Sequence, residues 1–170
     1  MTVRIPTIYL VGAIRDDHTE DIVWRAQAIE GLAGKAVFLN PIGGKTFNAA
    51  TRAWTMSGID STAGRIVKHD FWCVTRADIV LANMTSLSEG YPSIGSLLEL
   101  GRATGTGALL YLILDPSYTG HQNAGMYRLH PFLAEIAAAV FDTTEAAISF
   151  LRRHLDVLSG QTPHFGDVTA

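Results

Sequence analysis

A chain of 170 residues, nearly half of them hydrophobic, supports one well-packed core and leaves too little length for two. Its formal net charge of −3, with lysine and arginine scattered rather than clustered, argues against a nucleic-acid polymer as partner. A single cysteine, Cys73, excludes an internal disulfide, and six dispersed histidines lack HExxH or Cys/His finger spacing.

No metal and no cofactor is therefore expected. No apolar run approaches the length of a bilayer crossing, and the N-terminus carries no charged-then-apolar signal segment. The expectation is a cytoplasmic protein that makes no membrane contact and meets a small molecule or another protein.

In chain order, residues 7–14 form a β-branched, apolar strand that ends at Gly12, followed by a polar turn and a helix over residues 18–32. The apolar positions of that helix include Ile22, Val23, Ala26, Ile29 and Leu32, and Gly34 stops it. Residues 36–40 are the second strand, ended by Pro41. Residues 42–57 read as a polar connection longer than a turn requires, which suggests a ligand-facing or lid segment.

A helix over 62–76, with Cys73 packed inside it, precedes a buried strand over 78–84. Pro92 and the N-cap residue Ser93 then start a helix that runs to about Gly105. Residues 108–114 give the strongest strand pattern. A long loop, a helix over 130–138, a short strand over 140–142 and a helix over 144–158 complete the domain, 1–158, and 159–170 is a tail.

Strands alternating with helices predict an α/β fold: a flavodoxin-like, doubly wound sheet of about five parallel strands in the order 2-1-3-4-5. The ligand crevice then lies beyond the carboxyl ends of the first and third strands, between residues 12–16 and 83–93.

Three side chains near that crevice suit chemistry. Glu99 falls within the first two turns of the Ser93 helix, and Gly95 and Ser96, one turn earlier, leave space above its carboxylate. Ser96-Leu97-Leu98-Glu99 is equally a capping box, and Arg102 is placed to pair with Glu99. Asp70 emerges from the inward stripe of its helix, among Ile66, Val67, Cys73 and Val74, as a proton-transfer group or a structural hydrogen-bonding one.

Tyr9 on the first strand is either a core phenol or a partner for a carboxylate. Arg15, in the first strand-to-helix turn, suits a phosphate or hydroxyl-rich ligand as readily as solvent. Gly43-Gly44-Lys45-Thr46 ends like a Walker A loop, but Leu39 stands where its first glycine is required. The first turn likewise lacks G-x-G-x-x-G.

Tyr9-Leu10-Val11-Gly12, Asp70 with Trp72, Ala77-Asp78-Ile79-Val80-Leu81-Ala82 and the stretch from Gly95 to Ala103 together resemble the nucleoside 2-deoxyribosyltransferase family, which includes the 2′-deoxynucleoside 5′-monophosphate N-hydrolases. The resemblance implies that Glu99 is the nucleophile, that Tyr9 positions it and that Asp70 acts near the departing base. A carboxylate attacks C1′ of the deoxyribose, the base leaves, and water or another base takes the sugar.

Ser93 stands six residues before Glu99, where the transferases carry an Asp. The hydrolases resemble this chain in that segment and in a Gly-x-Ile-Arg turn like Gly12-Ala13-Ile14-Arg15, which implies a 5′-phosphorylated substrate and hydrolysis. Ala13 departs from a phosphate-binding Ser of the hydrolases, and the 85–92 connection is longer than theirs. Asn123 with Met126 resembles a segment that transferases lend to a neighbouring subunit, implying a homodimer or larger assembly. The competing reading is a nucleotide-binding or sensing domain of the same fold without turnover.

Overall fold

A computed structural model describes residues 4–15, 19–43, 45–48, 53–56, 59–60, 63–116, 118 and 130–158; for 46–48, 53–56 and 59–60 it describes the backbone. The N-terminal half contains β1 (Thr7–Gly12), α1 (Glu20–Gly31), β2 (Val37–Leu39), β3 (Lys45–Asn48), β4 (Ala53–Met56), β5 (Ile59–Asp60) and α2 (Ala63–Val74). The C-terminal half contains β6 (Ile79–Asn83), a 3-10 turn (Thr85–Leu87), α3 (Ile94–Ala103), β7 (Leu109–Ile113), α4 (Pro131–Ile136), β8 (Ala139–Phe141) and α5 (Thr144–Leu158).

The main sheet has the order β2-β1-β6-β7-β8 with every pair parallel, which is 2-1-3-4-5 among its own strands. Alternate residues along each strand enter opposite cores. Tyr9, Val11, Val80, Ala82, Leu110 and Leu112 face α2, α3 and α4, meeting Cys73, Val74, Leu100, Ala103 and Leu133. Ile8, Leu10, Ile79, Leu81, Tyr111 and Ile113 face α1 and α5, meeting Trp24, Ala28, Leu32, Ala147, Leu151 and Leu155.

Burial on both faces explains why β1, β6 and β7 read as continuous apolar runs. The strand starts are tied as well: Asp78 accepts a 2.8 Å hydrogen bond from the Thr7 amide. At the other end Gly12 lies opposite Asn83, so the reversal of strand order opens a crevice there.

Residues 42–57 are more than a polar connection. Lys45–Asn48 and Ala53–Met56 pair antiparallel, with Phe47 opposite Trp54, and Ile59–Asp60 adds a third strand. Strands of two to four residues are too short to show a period of two, so this second sheet escaped the sequence pattern.

The apolar stripe assigned to α1 is also rotated. Its buried residues are Asp21, Trp24, Arg25 and Ala28, whereas Ile22 and Val23 are each 45% exposed. Helix α1 ends at Gly31 with Leu32 as its C-cap, and Gly34, with φ +75°, lies in the turn that follows, where the Lys35 amide donates to the Leu32 carbonyl at 3.0 Å. Among the described residues no helix is long and apolar enough to cross a membrane. Residues 119–129 and the tail 159–170 lie outside the described residues.

Candidate active site

Tyr9 sits in the middle of β1 with its side chain fully buried on the α2/α3 face. Its hydroxyl donates a 2.7 Å hydrogen bond to Oε1 of Glu99. Glu99 is in the second turn of α3 and 9% exposed. The cap of α3 is Ser93, whose Oγ accepts from the Ser96 amide at 3.4 Å, so the Ser96–Glu99 capping box does not form. Arg102 points to solvent while Glu99 is turned inward to Tyr9.

Removal from water pushes the Glu99 carboxyl up to about 7. The Tyr9 hydrogen bond opposes that rise, the charge of Asp70 adds to it, and Arg25 and Lys45 pull it back. The same burial, with Glu99 beside it, raises the Tyr9 phenol far above its ordinary range, so Tyr9 stays a donor. A carboxyl group near 7, held at one oxygen by a fixed phenol, is poised between proton and charge at neutral pH.

Asp70 extends from α2 toward the same place, and its charge acts on both Tyr9 and Glu99. Its partners are Lys45, whose Nζ lies 3.2 and 3.4 Å from the two carboxylate oxygens, and His69, whose Nδ1 is 3.1 Å away. Among the described residues these side chains, and no backbone group, bond to it. One turn further on, Cys73 is 3% exposed, its thiol pushed up first by burial and then by Asp70. It is packed in the core between α2 and the sheet.

The first turn is organised by Arg25, which sequence reasoning missed because a mid-helix arginine ordinarily reads as solvent-facing. It is fully buried and donates to the carbonyls of Gly12 (2.8 Å), Ala13 (3.3 Å) and Asp21. Its guanidinium lies 4.7 Å from the Trp24 ring centre, and burial lowers its pKa to about 10. Gly12 fits this packing closely: a Cβ there would lie 3.0 Å from Trp24, 3.1 Å from the Asn83 carbonyl and 3.2 Å from Arg25.

Arg15 is neither solvated nor free. Its backbone N–H and side-chain Nε both donate to one Asp21 oxygen, at 2.9 and 2.8 Å, and a terminal nitrogen reaches the other oxygen at 2.8 Å. Glu89 pairs with its remaining end, and the Tyr91 ring lies 5.4 Å away. Arg15, Asp21, Trp24, Asn83, Thr85 and Glu89 line part of a cavity of about 380 Å³. Ile14, just before Arg15, is half-buried.

At the start of α3, the hydroxyls of Ser93 and Ser96 are 2.8 Å apart and Ser96 is buried. A Cβ on Gly95 would meet nothing within 4 Å among the described residues. The structure thus brings Tyr9, Asp70 and Glu99 together, with Lys45 added. It places Gly12, Ile14 and Arg15 in the first turn and Ser93, Gly95 and Ser96 at the α3 start. Asn123 lies outside the described residues. Among the described residues no group of His, Cys, Asp and Glu side chains could hold a metal ion.

A solved structure of a 2-desoxiribosyltransferase from Leishmania mexicana matches this chain with a TM-score of 0.61, over 88% of this chain and 98% of its own, at 21% identity. The 2-deoxyribosyltransferase from Bacillus psychrosaccharolyticus gives a TM-score of 0.61 over 88% and 95%, at 16% identity. The fold is that of the 2-deoxyribosyltransferases.

A CMP N-glycosidase from Clostridium botulinum, BcmB, matches this chain with a TM-score of 0.51 over 87% of this chain and 98% of its own, at 15% identity. No protein-family model and no curated protein sequence matches the chain. At these identities the likeness is one of fold, and fold alone does not fix chemistry. Tyr9 lies opposite Val80, in mid-strand of β1 and near the start of β6, so its bond to Glu99 is made on the α2/α3 face of the sheet.

Proposed function

We propose that this protein cleaves the N-glycosidic bond of a 2′-deoxynucleoside or its 5′-monophosphate through a covalent glycosyl-Glu99 intermediate, passing the deoxyribosyl group to water or to another nucleobase. The observation that carries the reading is the buried 2.7 Å hydrogen bond from Tyr9 to Oε1 of Glu99. It fixes one oxygen and leaves Oε2 to attack.

In the first step Oε2 bonds to C1′ while the C1′–N bond breaks and its electron pair departs with the base, which takes a proton delivered from solvent water through Asp70. In the second step a water oxygen, or a nitrogen of a second base, bonds to C1′. The ester C–O bond breaks, Glu99 regains its charge, and the incoming group gives its proton through Asp70 back to solvent water. Two carboxylates beside an electron-rich sugar suit an oxocarbenium-like transition state better than they suit passive binding.

Ser93 in place of a carboxylate at the α3 start favours a 5′-phosphate, because a helix N-terminus attracts anions and a hydroxyl adds a donor. That reading, with hydrolysis, is the one we put first. The opposing observation is that Arg15 already carries Asp21 and Glu89, which favours an unphosphorylated nucleoside.

A homo-oligomer fits the outer faces of α3 and α4, where Ile94, Leu98 and Phe132 are 71%, 58% and 78% exposed. The deciding experiment incubates the protein with deoxynucleosides and with their monophosphates, with and without a second free base, and separates the products by chromatography. Sugar or sugar phosphate with free base means hydrolysis, and a new nucleoside means transfer. No product from any substrate leaves the binding-domain reading.

A further inference from the structure

Lys45 opens β3, yet its side chain is only 4% exposed and its ammonium donates to both oxygens of Asp70. Removing an ammonium and a carboxylate from water is costly before their attraction repays it, so such a pair is weak evidence of stabilisation. Its position gives it another use, because a second buried carboxylate, Glu99, feels both charges.

The groups acting on Glu99 come from every element around it. Tyr9 comes from β1, Arg25 from α1, Lys45 from β3, and Asp70 from α2. Cys73, also on α2, responds to Glu99, and His69 lies against Asp70. Asp21 sits beyond Arg25 and acts on it directly. Asp70 opposes a negative charge on Glu99, whereas Arg25 and Lys45 favour one. Arg25 spends its hydrogen bonds on backbone carbonyls, so among the described residues Lys45 is the one Lys or Arg bonded to Asp70.

We propose that Lys45 is a positioning residue of this site: its ammonium grips Asp70 and offsets its charge, so that Glu99 can be negative beside it and attack. The consequence for rate rests on the proposed base-release reaction, but the charge relation among the three side chains needs no substrate. Lys45→Met leaves the charge of Asp70 uncompensated, so Glu99 releases its proton at higher pH. Lys45→Arg keeps the cation. Lys45→Met/Asp70→Asn removes both charges and relieves Glu99 again, which a purely structural role for Lys45 would not do.

The test follows the Glu99 titration in ligand-free protein labelled with carboxyl-13C glutamate, the resonance assigned with Glu99→Gln, alongside the pH profile of base release. The Lys45→Met midpoint should rise by about one pH unit, which is about a tenfold loss of kcat/KM on the acidic side. Lys45→Arg should stay near the wild-type midpoint, and the double variant should return to it or fall below.

An unchanged midpoint in folded Lys45→Met, or a double variant as high as the single one, overturns the proposal. Should Lys45→Met fail to fold, Asp70→Asn is compared with the double variant: loss of Lys45 must then raise the midpoint, and equal values overturn it. If the midpoints move as stated but no deoxynucleoside or monophosphate releases its base, the reaction reading fails and the role of Lys45 in setting the Glu99 charge stands.

Discussion

Burial of Glu99 beside Tyr9 gives the folded chain a carboxyl group pushed up to about 7, above the ordinary carboxylate range it regains on unfolding. Between those two values the native state holds a proton that the unfolded state has lost, so native stability falls as pH rises through that window. Glu99→Gln keeps an acceptor for the Tyr9 hydroxyl without the charge. We expect wild type and variant to be similarly stable near pH 4, and the variant to be more stable by about 1–3 kcal/mol at pH 8. Urea denaturation across pH measures the difference, and a gap that does not widen with pH would count against a buried, charge-averse Glu99.

That residue-scale picture was partly readable beforehand. Asp70 was legible because its helical phase put a charge on an inward stripe, and Ser93 because Pro92 and a small hydroxyl residue announce a helix start. The Tyr9–Glu99 bond joins residues 90 apart in the chain, and only the parallel sheet brings them together. Lys45 was not legible as a site residue, since the motif around it fails as a phosphate loop and nothing local points it toward Asp70.

At the scale of elements, α1 carries both a structural and a functional load. Its inner face gives Asp21 and Arg25 to the first turn, and that is why Ile22 and Val23 are rotated outward, against the apolar pattern. Its last residue, Gly31, lies against α5, where an added Cβ would stand 2.6 Å from Cγ2 of Ile148. Arg152 of α5 also donates to the Gly31 carbonyl at 2.6 and 3.2 Å.

Alanine ordinarily favours a helix over glycine by about 1 kcal/mol. Here we expect Gly31→Ala to destabilise the protein by about 1–3 kcal/mol, because α5 must shift. Gly31→Ala/Ile148→Ala should lose less than the sum of the single variants in denaturation experiments. Strict additivity would mean that the two helices do not meet as described. The helices themselves were legible, but their rotation was not, because a buried, hydrogen-bonded arginine breaks the hydrophobic period.

For the whole molecule, the parallel sheet was the most legible feature. Runs such as Leu109–Ile113 are apolar on both faces, and their alternation with helices leaves few topologies. The antiparallel strands between residues 45 and 60 were hidden by their shortness. They matter because Lys45, at their start, pairs with Asp70 beside the Tyr9–Glu99 site. The fold therefore gathers two carboxylates, a phenol and an ammonium from four separate elements, β1, β3, α2 and α3.

The most direct measurement is the mass of the peptide that carries Glu99, taken after acid quench during turnover of a deoxynucleoside or its monophosphate. The account expects that peptide to gain a deoxyribosyl or phosphodeoxyribosyl group, lost on incubation with water or a second base and absent in Glu99→Ala. Release of base at full rate by Glu99→Ala, with no sugar ever found on the wild-type peptide, would contradict it.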